Sequence, residues 1–108
     1  GRYVEQHQLN AAESLYKELL EFRRKVSPED FEGIGVILND LAGLYQLLTR
    51  FDEAEESFVD ALDAFRKTLP ESKDNYTITL KNLAELYRLQ GRDDEAYLLQ
   101  KKTNDYSK

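Results

Sequence analysis

LKNLAELYRLQGRDDEA, Leu80–Ala96, restates LNDLAGLYQLLTRFDEA, Leu38–Ala54, at an offset of 42 residues. Across 38–55 and 80–97, ten of eighteen aligned positions are identical: Leu38/Leu80, Leu41/Leu83, Ala42/Ala84, Leu44/Leu86, Tyr45/Tyr87, Leu47/Leu89, Arg50/Arg92, Asp52/Asp94, Glu53/Glu95 and Ala54/Ala96. A further step of 42 toward the N-terminus sets Tyr3 under Tyr45 and Tyr87, Ala12 under Ala54 and Ala96, Tyr16 under Phe58, and Pro28 under Pro70. Identity of this density at one fixed offset marks a repeated structural unit. Units of about 20–50 residues build solenoids, because one unit cannot hide its apolar face alone and does so against its neighbour.

Each unit reads as two helices. In the first, Ile37, Leu41, Leu44, Tyr45 and Leu48 recur at steps of three and four, and Leu38 and Ala42 widen the stripe. In the second, Phe51, Ala54, Phe58, Ala61, Leu62, Phe65 and Leu69 do the same, and Asp52, Glu53, Glu56, Asp60, Asp63, Arg66 and Lys67 form the opposite face. Acids lead and bases trail, as the helix dipole favours, and Asp63 with Lys67 is spaced for an i,i+4 pair. Asn10, Asp52 and Asp94 occupy equivalent positions and are residue types that cap helix starts. Just ahead of them, Gly91 suits a left-handed turn, with Thr49 and His7 at the same place in the other units. Ser27-Pro28-Glu29-Asp30 reads as a start with Ser27 as cap. These signals predict helices at about 2–6, 10–26, 29–48, 52–69, 75–90 and 94–106. Tyr3, Tyr45 and Tyr87, at repeat spacing, are predicted to pack in the core.

Composition limits what the chain does. It has 108 residues, a third of them charged, a net charge of −6, and no cysteine. That excludes disulfides, cysteine zinc sites and cysteine nucleophiles, and it agrees with a reducing compartment. A cytoplasmic location is the expectation. The acidic balance argues against nucleic-acid binding, which needs a concentrated basic face. No apolar run approaches the roughly 20 residues that span a bilayer, and no basic amphipathic helix suits a membrane surface. The start, Gly1-Arg2-Tyr3-Val4-Glu5-Gln6, contains no signal-peptide core.

Leu38, Leu41, Ala42, Tyr45, Phe51, Ala54, Phe58 and Ala61, with Leu80, Leu83, Ala84, Tyr87, Gly91 and Ala96, resemble the small/large pattern of the tetratricopeptide repeat (TPR). That repeat usually spans about 34 residues. The 42-residue offset and the NLAxLYxxxGRxxEA wording are more similar to the lengthened repeats of kinesin light chain and its prokaryotic relatives. The resemblance implies an all-α fold, an α-α superhelix of antiparallel helix pairs with about two and a half repeats. The boundaries fall near 1–26 (partial), 27–69 and 70–108, in one TPR-like domain fragment over 1–108. Asp93, Gln100 and Thr103 depart from the pattern where large, large and small apolar residues are expected, so the last helix is predicted to pack poorly. Both ends read as cut from a longer array.

Outside the core stripe, Asn39, Gly43, Gln46 and Arg50 follow one another at steps of four, three and four. Lys81, Glu85, Arg88 and Arg92 are their counterparts, flanked by Asn82, as Asp40 flanks the earlier set. First helices line a concave groove in TPR proteins, so the resemblance implies that these residues meet an extended peptide or partner helix. Asn82, with Lys81 and Arg88, is suited to peptide amides or a carboxylate, because an amide side chain both donates and accepts. Plain solvent exposure is the competing reading. Gly43 either makes room for a ligand or relieves crowding between helices.

Other groups are weaker candidates. His7, the single histidine, has no Ser or Cys partner nearby. The acidic runs Asp52-Glu53, Glu55-Glu56 and Asp93-Asp94-Glu95 sit at helix starts and lack the loop spacing of a calcium site. No phosphate loop and no nucleophile–base pair can be assembled, so neither enzyme activity nor a cofactor or metal is expected. The expected function is a protein–protein interaction scaffold. Its rivals are a regulatory or sensor segment of a larger signalling protein such as an NTPase, and a structural module that self-associates through open repeat ends.

Overall fold

A computed structural model describes residues 2–107, with side chains through residue 105. Gly1 and Lys108, the outer limits of the expected partial repeat 1–26 and of repeat 70–108, lie outside the described residues. Five helices and no strand make up the described part: α1 (Arg2–Val26), α2 (Phe31–Leu47), α3 (Phe51–Arg66), α4 (Lys73–Leu89) and α5 (Asp93–Ser107). The molecule measures 42 × 37 × 18 Å, and its short dimension is about two helix diameters. α2 packs on α3, and α4 on α5, as antiparallel pairs; α1 packs on α2, and α3 on α4, to stack them. No helix among the described residues is long and apolar enough to cross a membrane.

The core is the predicted stripe. Ile37, Leu38, Leu41, Ala42 and Tyr45 of α2, Ala54, Phe58, Ala61, Leu62 and Phe65 of α3, Leu80, Leu83, Ala84, Leu86 and Tyr87 of α4, and Ala96 of α5 form one buried cluster. Alanines at 42, 54, 61, 84 and 96 are essentially inaccessible to water, which lets backbones approach while Tyr and Phe fill the space beside them. Burying each large side chain contributes about 1.5–3 kcal/mol before entropy is counted. α5 is the thinnest layer, covered on one side. Ala96 and Thr103 are buried, the Thr103 hydroxyl donating to Leu99 O, while Tyr97 and Leu98 stay exposed.

Three expectations are corrected. α1 runs unbroken from Arg2 to Val26, so the turn predicted at His7 and the cap at Asn10 do not form. Gly91 and Thr49 both take the left-handed conformation at φ 75° and 58°, but the helix simply continues through His7. Tyr3 is consequently 85% exposed, unlike the buried Tyr45 and Tyr87.

The caps also shift. Asp30, not Ser27, caps α2, its Oδ1 accepting the Gly33 N–H at 3.1 Å. Asp52 lies within the first turn of α3 and Asp94 within that of α5, where an acid still favours the helix dipole. Asp63 pairs with Arg66 at 2.7 Å, and the Lys67 ammonium lies over the Phe31 ring instead.

Candidate binding groove

The two first-type helices, α2 and α4, lie side by side and are joined by polar bonds. Thr79 Oγ1 and Asn82 Nδ2 both donate to Asn39 Oδ1, at 3.2 and 3.3 Å. Asn75 Nδ2 donates to Glu32 Oε1 at 3.4 Å nearer the helix starts. Beyond Asn39 the helices open into a cleft of about 250 Å³ lined by Gly43, Gln46 and Leu47 of α2, Phe58 of α3, and Asn82 and Glu85 of α4. Its floor is the buried Phe58 ring; Leu47 forms an apolar wall, 69% exposed.

A Cβ placed on Gly43 meets no atom within 4 Å. Crowding between helices therefore does not require the glycine, and its missing side chain enlarges the cleft. Four of the eight expected residues, Gly43, Gln46, Asn82 and Glu85, come together here. Asn39 borders them with its carbonyl oxygen engaged. Arg88 is exposed and donates to Glu85 Oε2 at 3.2 Å, and Lys81 is exposed on α4.

Arg50 is elsewhere. Its guanidinium grips Glu53 through Nε and Nη2 at 2.7 and 2.6 Å, reaches Glu13 of α1 through Nη1 at 2.7 Å, and lies 4.6 Å from the Tyr45 ring centroid. Forty-two residues on, Arg92 repeats this. It grips Glu95 at 2.8 and 2.6 Å, reaches Glu55 of α3 at 2.8 Å, and lies 4.2 Å from the Tyr87 ring centroid. The carboxylates reached by the two arginines, Glu13 by Arg50 and Glu55 by Arg92, are themselves one repeat apart. Each arginine thus fastens a unit to the second helix of the unit before it, and Tyr97 stands at the third equivalent position.

The electrostatics follow the contacts. Burial works to raise the Glu13 carboxyl, but hydrogen bonds from Lys17 and Arg50 outweigh it and hold it below the ordinary range. The Arg92 bond lowers Glu55 against its burial. Burial, reinforced by donation to Glu55, pushes the Tyr87 hydroxyl up to about 12. Both arginines are held protonated still more firmly than usual by their carboxylates.

Sequence reasoning passed over Leu47 and Leu89. They are identical in the repeat yet lie off the core stripe, and both are largely exposed. Identity without a packing role was the signal for a surface stripe.

The tetratricopeptide repeat profile matches residues 33–103. The chain belongs to the tetratricopeptide repeat family. Its fold is similar to the crystal structure of BtubC (BKLC) from P. vanneervenii, with a TM-score of 0.80 and 21% identity. The likeness covers 94% of this chain and 40% of that one, and it extends to the kinesin light chain-like form of the repeat. This chain therefore spans less than half of that solved chain. No curated protein matches the sequence. TPR domains generally mediate protein–protein interactions, and the family is a scaffold without chemistry of its own.

Proposed function

We propose that the chain is an interaction scaffold that seats an extended peptide, or a partner segment, on the concave face shared by α2 and α4. The observation that carries this reading is the open notch at Gly43. A glycine in mid-helix costs about 1 kcal/mol relative to alanine, and no neighbour among the described residues requires it. Beside the notch are the features a peptide needs: an apolar wall and floor in Leu47 and Phe58, and amide groups on Gln46 and Asn82 that pair with main chain whatever its sequence. Lys81 and Arg88 border the face as cations for a ligand carboxylate, whereas Arg50 contributes by holding the repeats in register.

The test separates stability from binding. Gly43→Ala should raise stability by about 1 kcal/mol while weakening a bound peptide severalfold, because its methyl group enters the cleft. Asn82→Ala should also weaken binding. Titration calorimetry of both variants against peptides selected from a random library, with parallel thermal melts, reads each effect. Affinities unchanged in both variants remove the groove from the account.

A further inference from the structure

We infer that a cleft between α1 and α3, separate from the one at Gly43, receives a tyrosine side chain from a segment of a partner protein, with basic residues beside that tyrosine. The second unit already contains such an arrangement. α3 and α5 flank α4 without packing on each other, and Tyr76 of α4 lies fully buried between them. Arg66 of α3 donates through Nη2 to the Tyr76 hydroxyl at 3.3 Å, and the Arg66 guanidinium and the Lys102 ammonium of α5 each lie 5.8 Å from its ring centroid.

α1 and α3 flank α2 in the same way, but the residue 42 before Tyr76 is Ile34. A cleft of about 270 Å³ is left there, lined by Arg24 of α1, Ile34 and Leu38 of α2, and Asp60 of α3, with Pro28, Phe31, Asp63, Ala64 and Lys67 completing it. An apolar cavity of about 150 Å³ admits a benzene ring. Arg24 and Asp60 hold the positions that Arg66 and Lys102 hold around Tyr76. The unit thus keeps the surroundings of a tyrosine and lacks the ring.

The polar groups select the occupant. Asp63 bonds Arg66 at 2.7 Å, and the Lys67 ammonium lies 4.7 Å from the Phe31 ring centroid, so both are engaged. Arg24 and Asp60 have no bonded or charged partner among the described residues. Arginine only donates and an ionised aspartate only accepts, while a phenolic hydroxyl does both and so answers the two together. Phenylalanine fills the same space and answers neither. Phosphorylation of the tyrosine sets added negative charge against Asp60 and Asp63.

A second cleft of about 280 Å³ shares Arg24, Leu38 and Asp60 with the first and extends it past Leu41 and Glu56. Lys17 and Glu53 on its walls are paired with Glu13 and Arg50, whereas Glu56 has no such partner among the described residues. A free phenol leaves this extension empty. A peptide runs along it and brings a lysine or arginine to Glu56, which is why the occupant is a protein segment with basic neighbours.

The probe is a capped pentapeptide with a central tyrosine, lysine on each side of it and serine at both ends, titrated into the isotope-labelled 108-residue protein and followed by amide chemical shifts. It should move the Ile34 and Asp60 amides saturably and bind about three- to tenfold tighter than the same peptide with phenylalanine, the range of one hydrogen bond. Asp60→Ala, at an exposed position, should cancel that preference with circular dichroism unchanged, and the phosphotyrosine peptide should bind more weakly than the tyrosine one. Ile34→Tyr should fill the cleft from within and abolish binding, while Asn82→Ala, in the Gly43 cleft, leaves it intact. No saturable shift at Ile34 and Asp60, equal affinity for tyrosine and phenylalanine, or a preference unmoved by Asp60→Ala overturns the inference. So does p-cresol binding as tightly as the peptide, which assigns the cleft to a small phenol. A dimer in sedimentation that Ile34→Tyr dissolves overturns it too, by showing that a second copy fills the cleft.

Discussion

Thr49 takes the conformation that Gly91 takes one repeat later, at φ 58° and 75°. Both turns close with the same bonds: Arg50 N–H donates to Tyr45 O, and Arg92 N–H to Tyr87 O, each at 2.8 Å. For a residue with a Cβ the left-handed region costs about 1–2 kcal/mol, and the Thr49 hydroxyl recovers part of it by donating to Leu48 O at 2.6 Å. Thr49→Gly should therefore raise stability by about 0.5–1 kcal/mol, net of the entropy glycine gains when unfolded. Gly91→Ala should lower it by about 1 kcal/mol. In thermal melts followed by circular dichroism, each appears as a shift of a few degrees, in opposite directions.

α2 and α3 meet so closely that a Cβ at Gly35 stands 2.6 Å from the Phe65 ring. Gly35→Ala should destabilise the pair by about 1–3 kcal/mol, the usual cost of overfilling a packed interior. Adding Phe65→Leu should recover part of the loss, and chemical denaturation of the single and double variants measures that coupling. α1 shows the reverse situation. Its first two turns, residues 2–8, are exposed throughout, so local propensity decides their course, and Gln6, His7 and Gln8 continue a helix as readily as they end one. The boundary signals at 49 and 91 worked because the next helix folds back there onto a partner.

Across the whole solenoid, Arg50 and Arg92 act as paired fasteners, each linking a Glu beside it to a Glu on the preceding second-type helix. Glu13, Glu53, Glu55 and Glu95 all titrate below their ordinary range because of these arginines, with Lys17 also acting on Glu13. A carboxyl depressed in the folded state adds stability that is present above its unfolded value, about 4.3, and disappears as pH falls through the folded value. The urea midpoint should hold steady from pH 7 to about 5 and drop below about 4. Glu13→Gln with Glu55→Gln should flatten that drop. Tyr87 works at the other end: its hydroxyl is raised toward 12, so its contribution is present below about 10 and lost as pH climbs through 12.

The repeat, the pairing of helices, the buried Tyr45 and Tyr87 and the two left-handed turns were all readable from residue order. Periodicity and backbone sterics are properties of neighbours along the chain, and a spacing of three, four or 42 residues records them directly. The unbroken course of α1, the capture of Arg50 by Glu13, and the exposure of Leu47 and Leu89 were not. Arginine in a helix-terminal turn carries no mark of whether it faces a ligand or a carboxylate 37 residues away. Nor does leucine on a helix record which of its flanks another helix will cover. Folding settles both, because ion pairing and burial depend on what comes close in space.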